Sequence, residues 1–185
     1  MDYVYLVASL PVLELTAAPR ISSAELLDSS AGVLRADHLE DLRAVLDDRP
    51  REVRSSELAP YLDAETQLRD ALARLRAARA GADYDAGAHP CAGYDTRSVD
   101  AARRALELDD PRERELLLDR LRWTLLDELA TSPPFGFQAV LAYGLKLRLA
   151  EKWAAMDAAE GLRVAAAVAA QALAGAEPGS EDGGS

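Results

Sequence analysis

Apolar residues recur along this chain at helical rather than strand spacing. The first of them, Tyr3 to Leu10, form a mostly apolar run too short for periodicity to separate a buried strand from a short buried helix. Ser22 followed by Glu25 has the spacing of a capping box and predicts a short helix that buries Leu26 and Leu27 and closes at Gly32. In DHLEDLRAVLDD, starting at Asp37, Leu39, Leu42, Val45 and Leu46 fall on one helical face, and Pro50 ends the element. From Ser55 or Pro60 onward a longer helix places Leu68, Leu72 and Leu75 together. Its Arg-rich last turn suits the negative end of the helix dipole, and Gly81 is a natural stop. Residues 82–96 mix Gly, Pro and Asp without apolar periodicity and read as a loop; a helix over about Ser98 to Leu108 follows, with Val99, Ala102 and Leu106 inward.

The densest apolar pattern lies between Asp110 and Asp157. Asp110 is an N-cap, Pro111 occupies the first helical position, and Leu116, Leu117, Leu118, Leu121, Trp123, Leu125, Leu126 and Leu129 follow. One stripe cannot hold them all, so this helix is expected to be covered on more than one side. Pro133 and Pro134 force a turn. A second helix from near Phe135 carries Phe137, Leu141, Leu145 and Leu149 at intervals of four, with Val140, Tyr143, Leu147 and Trp153 alongside. Two helices joined so briefly predict an antiparallel hairpin. Gly161 is expected to break or bend the chain before an Ala-rich helix over Leu162 to Leu173, and the acidic, Gly/Ser-rich residues 175–185 are expected to be disordered. The whole predicts an all-α, irregular helical bundle with a central helix hairpin, one domain over residues 1–174.

Composition supports helices: 49% of residues are hydrophobic but only 5% aromatic, and much of the apolar content is Ala and Leu. The net charge of -11 opposes binding to a phosphate backbone or an anionic membrane surface, so no nucleic-acid partner is expected. The single cysteine, Cys91, rules out an internal disulfide and fits a reducing compartment. Asp2, Pro11 and Glu14 interrupt what could otherwise be a signal peptide, and no uncharged stretch is long enough to span a bilayer. A cytoplasmic protein without membrane insertion is expected.

Candidate chemistry is sparse. His38 and Asp41 could share a helix face as metal ligands, and His89 with Cys91 form another close pair. Neither has a partner pair elsewhere in the sequence, so a solvated helix face and a plain loop are the expected readings. No nucleophile motif, Walker loop or dinucleotide fingerprint is present, and neither catalytic residues nor a cofactor or metal are expected. Acid pairs such as Asp47/Asp48 and Asp109/Asp110 read as helix caps and solvated charge. Trp123, Tyr143 and Trp153 could anchor a partner, although aromatics among leucines at helical spacing more often form core. Lys146, Arg148 and Lys152 add a small basic edge to an acidic protein.

Two segments carry a family resemblance. PFGFQAVLAYGLKLRLAEKW, Pro134 to Trp153, followed by Gly161, resembles the C-terminal helix of the C subunit of the V/A-type ATPases, the paralogue of the eukaryotic V-ATPase d subunit; the apolar-apolar-Ala-Tyr step is Val140-Leu141-Ala142-Tyr143. ETQLRDALARLRAARAG, Glu65 to Gly81, resembles a recurring helix of that family at Leu75, Arg76, Ala77 and Gly81. The opening YVYLVASLPVL, with DRLRWTLLDEL and LAYGLKLRLAEKW, is closer still to a short bacterial family of unknown function encoded among V-type ATPase subunits. The chain departs from the C subunit in being much shorter than its three helical lobes and in having Lys152 and Trp153 after Glu151, where the family continues an acidic-Asn-Leu-Arg signature. The resemblance implies a reduced, non-catalytic component similar to the C subunit, with the central stalk and proteolipid ring as partners. It would be peripheral at the membrane through the complex, with Tyr143, Lys146 and Trp153 as the partner contacts. The alternative is an acidic helical adaptor or assembly chaperone outside the mature rotor.

Overall fold

The computed structural model describes residues 3–84, 95–131 and 133–174, and for residues 164, 165 and 167–174 the backbone alone. Among the described residues the chain forms seven α-helices and no strand: α1 (Val4–Ser9), α2 (Ser23–Ala31), α3 (Ala36–Leu46), α4 (Ala59–Ala80), α5 (Thr96–Glu107), α6 (Pro111–Ala130) and α7 (Phe137–Ala174). Two 3-10 turns, Pro50–Glu52 and Ser56–Leu58, lead from α3 into α4. The all-α bundle read from the sequence is the fold. His89, Cys91, most of the loop over 82–96 and the tail over 175–185 lie outside the described residues.

The ambiguous first segment is a helix. Tyr3 and Leu6 are buried and Val7 and Leu10 pack beside them, the i, i+3, i+4, i+7 spacing of one helical face, while Tyr5 is 92% exposed. A backbone bond from Tyr3 N to Phe135 O (2.7 Å) ties this helix to the α6–α7 turn. From Pro11 to Ile21 the chain becomes an irregular strap whose odd-numbered residues turn inward and whose even-numbered residues face out. Leu13 and Ile21 of the strap pack on the main core. At its end the Ser22–Glu25 capping box forms with both reciprocal bonds, and α2 begins.

Two apolar clusters stabilise the bundle. The larger joins Tyr3 and Leu6 of α1, Leu26 of α2, Leu42 and Val45 of α3, Leu125 and Leu126 of α6, and Phe137, Val140, Leu141, Leu145 and Leu147 of α7. The smaller joins Leu68 and Leu72 of α4, Ala102 and Leu106 of α5, and Leu118 of α6; Leu121 touches both. Helix α6 therefore packs against α4, α5 and α7, the multi-sided cover that its surplus of leucines requires. At the α3–α7 crossing, a Cβ on Gly144 would lie 3.0 Å from Leu42 Cδ1 and 3.1 Å from Val45 Cγ1, so glycine permits this close approach. Gly81 takes a left-handed conformation (φ 65°) and ends α4, as expected from the sequence.

The chain departs from the sequence reading at Gly161 and at the start of α5. Gly161 does not break the chain: α7 runs through it for 38 residues, because one glycine costs a helix only about 1 kcal/mol and the Ala-rich flanks offset it. The expected separate helix over Leu162 to Leu173 is thus the end of α7. Helix α5 begins at Thr96 instead of near Ser98, since the Asp95 carboxylate accepts from Arg97 N and supplies the cap.

Candidate functional site

The three expected contact residues lie on α7, and each is engaged by the chain itself. Trp153 is 1% exposed, and its indole N–H donates to the Asp119 carboxylate at 2.9 Å. Tyr143 is half-buried under the strap and donates its hydroxyl to Pro11 O at 2.9 Å; burial pushes its phenol up to about 12. Lys146 pairs with Asp127 and lies over the Trp123 ring, 4.7 Å from its centroid. The strap continues past this edge. Leu15 and Thr16 line a shallow recess with Arg120, Trp123 and Thr124, and Ser23 then donates from N and Oγ to the two Glu151 oxygens at 2.8 and 2.7 Å. The strap thus covers Tyr143 and meets Trp123 of α6, while Trp153 is engaged from α6 by Asp119 and Arg112.

Between α4, α6 and α7 the structure buries a charged network. Asp119 is completely buried and accepts from Arg122 Nη1 (2.7 Å), Lys152 Nζ (2.5 Å) and the Trp153 indole. Arg122 turns its other nitrogens onto Glu65 of α4, Nε to Oε2 at 2.9 Å and Nη2 to Oε1 at 3.1 Å, a two-pronged contact that matches the guanidinium fork. Arg69, one turn after Glu65, adds a bond to Oε1 at 2.8 Å, and Lys152 also reaches Glu115 at 2.7 Å. Burial opposes the charge on Arg122, but Glu65 and then Asp119 outweigh it and its guanidinium is held more firmly protonated than usual. The nearby Tyr61 hydroxyl is pushed well above its ordinary range, by burial first and by Glu65 second.

This network forms one wall of a cleft of about 260 Å³. Leu62, Leu145, Leu149 and Pro50 supply its apolar lining, and Arg51, Arg69, Arg122, Arg148 and Lys152 supply five cations against three acids, Asp48, Glu65 and Asp119. Asp48 adopts φ 62°, a left-handed conformation that Asp tolerates, and the chain then turns into Pro50–Glu52, which brings Arg51 to the cleft. Among the described residues no Ser, Thr, Cys or His lines the cleft, Tyr61 completes its lining, and both of its buried carboxylates are paired with cations. The basic residues Arg148 and Lys152 were visible from sequence as an edge. Their convergence with Arg51, Arg69 and Arg122 was not, because it requires α4 and the 3-10 turn to pack beside α7.

His38 is a packed side chain rather than a solvated one. Its ring stacks on Phe137 with centroids 3.7 Å apart and an interplanar angle of 8°, and it bonds to the Tyr3 hydroxyl at 2.7 Å through Nδ1. Arg35 donates to Nε2 at 2.8 Å; a guanidinium cannot accept, so Nε2 is the unprotonated nitrogen and Nδ1–H donates to Tyr3. Burial, followed by the Arg35 charge, holds the imidazole below its ordinary pKa. Asp41 does not converge with it: its oxygens accept from Arg54 N and Ser55 N at 2.9 and 3.0 Å and hold the chain that leads into α4. Among the described residues no group of three His, Cys, Asp or Glu side chains could hold a metal ion, and no helix is long and apolar enough to cross a membrane.

No curated protein and no solved structure matches the chain. Residues 99–168, from within α5 through α6 and most of α7, match the model of a family described as a protein of unknown function (DUF2764), and the chain is similar to that family over this region.

Proposed function

We propose that this chain is a non-catalytic component of a bacterial V/A-type ATPase, similar to a reduced C subunit that links the central stalk and the proteolipid ring. The observation that carries the reading is where the resemblance falls. Pro134 to Trp153, which resembles the C-terminal helix of that family, contributes Phe137, Val140, Leu141, Leu147 and Trp153 to the fully buried core. The second resembling segment, Glu65 to Gly81, is most of α4 and ends in the left-handed Gly81. The likeness therefore lies on residues that determine packing, and the family match over 99–168 includes the same α6–α7 hairpin.

In this reading the chain works by contact and position. A partner would meet Tyr143 and Lys146 only at their uncovered edges, while Trp153 supports that surface from within. The tied-together α1 and α6–α7 turn add exposed apolar side chains, Val4, Tyr5 and Phe135, to the contact area. Affinity capture of the tagged full chain from cells that make it, followed by mass spectrometry, tests the proposal. Enrichment of central-stalk and proteolipid subunits is expected; capture with no ATPase subunit overturns it.

A further inference from the structure

We infer that the cleft between α4, α6, α7 and the Pro50–Glu52 turn is a binding site for a small soluble anion bearing phosphate or carboxylate groups. The inference stands apart from the ATPase reading, since it rests on the cleft alone. Its inner acids are already satisfied. The Glu65 oxygens are taken by Arg122 and Arg69, and those of Asp119 by Arg122, Lys152 and Trp153. The inner cations thereby neutralise these two acids, and at the outer part of the cleft Asp48 stands with Arg51 and Arg148. Arg51 has no hydrogen-bond or ion-pair partner among the described residues, and it lines the same cleft as Arg148.

Arg148 is the second outer cation, and it is only loosely paired. Its Nε is buried without a hydrogen-bond acceptor, and among the described residues its ion-pair contact is a long one, Nη1 to Glu151 Oε2 at 3.7 Å, while Glu151 is already occupied by Ser23. The Arg148 side chain is 40% exposed, so its terminal nitrogens, rather than the enclosed Nε, are the donors that an oxyanion in the cleft would meet.

Size and surroundings limit the ligand. A volume of about 260 Å³ lies below the usual range for drug-sized ligands and suits a diphosphate or a small polycarboxylate more than a nucleotide. Leu62, Leu145 and Leu149 give room for a short apolar body beside the charged group. None of the exposed large apolar residues among those described lines the cleft, so they form no apolar ledge there to enter a bilayer and present a lipid headgroup.

Isothermal titration calorimetry of the full chain with inorganic pyrophosphate and with citrate, at matched ionic strength, tests the inference. At least one probe is expected to bind with a dissociation constant below about 1 mM. Arg51→Gln and Arg148→Lys should each weaken that probe by about tenfold or more, the first by removing a charge and the second by removing the fork while keeping it. Arg104→Gln, on a separate surface recess, should leave binding unchanged. Arg51 is an exposed residue of the 3-10 turn, so its variant should keep the wild-type urea midpoint, which separates lost binding from lost folding. Absence of binding by both probes, or equal binding by wild type and Arg51→Gln, overturns the inference. Arg51-dependent sedimentation with phosphatidic acid vesicles without binding of either soluble probe overturns it too, in favour of a lipid headgroup.

Discussion

Asp119→Ala should be among the most damaging single substitutions in α6. The carboxylate is completely buried and gathers three donors from two helices, Arg122, Lys152 and the Trp153 indole. Breaking a buried ion pair by removing one partner costs about 3–5 kcal/mol. Here the loss is moderated because Arg122 keeps Glu65 and Lys152 keeps Glu115. The Trp153 indole has no second acceptor among the described residues and is 1% exposed, which adds about 1–3 kcal/mol for an unsatisfied buried donor. We expect a net destabilisation of about 3 kcal/mol, a large part of the roughly 5–15 kcal/mol typical of whole domains. Urea unfolding followed by circular dichroism should show it as a midpoint lowered by about 1.5 M at an m-value near about 2 kcal/mol/M. Asp119→Asn keeps an acceptor for the indole and should cost about half as much. An Asp119→Ala midpoint within about 0.5 M of wild type would show that the network contributes little to stability.

Two glycines of α7 should respond oppositely to alanine. Gly161→Ala, with nothing within 4 Å of the added Cβ, should stabilise by up to about 1 kcal/mol, whereas Gly144→Ala, pressed on Leu42 and Val45, should destabilise by about 1–2 kcal/mol; thermal melts of both decide it. Ser22→Ala removes half of the capping box and should cost about 1 kcal/mol in the same assay. His38 should make stability fall with acid. Its folded pKa lies below the unfolded value of about 6.5, so the unfolded chain binds the proton first, and the contribution is complete above that value and lost as pH falls below it. Wild type should lose more stability than His38→Gln between about pH 7.5 and 5.5, and equal losses would count against the assigned Arg35–His38–Tyr3 tautomer.

Most of the fold was readable because local signals and burial agree. The Asp110–Pro111 start, the Gly81 stop and the Ser22–Glu25 box are short-range devices, and each acts where its residues stand. Gly161 does not break the helix because its effect depends on its flanks, and the Ala-rich run on either side continues helical. Tyr143, Lys146 and Trp153 were correctly placed on one helix. Their surroundings depend on the strap from Pro11 to Ile21 and on Asp119, elements distant in sequence whose contacts no spacing rule predicts. The same holds for the cleft, where Arg51 and Arg148 are brought together from distant parts of the sequence, and for His38, whose stacking partner Phe137 is 99 residues away.

The central proposal is that the chain is an integral non-catalytic part of a V/A-type ATPase. Its most direct test is purification of the intact ATPase through one of its other subunits, from cells that make this chain, with quantitative mass spectrometry of the purified complex. The chain should be present in fixed ratio to the central-stalk subunits. An intact, ion-coupled complex purified without it would contradict the proposal.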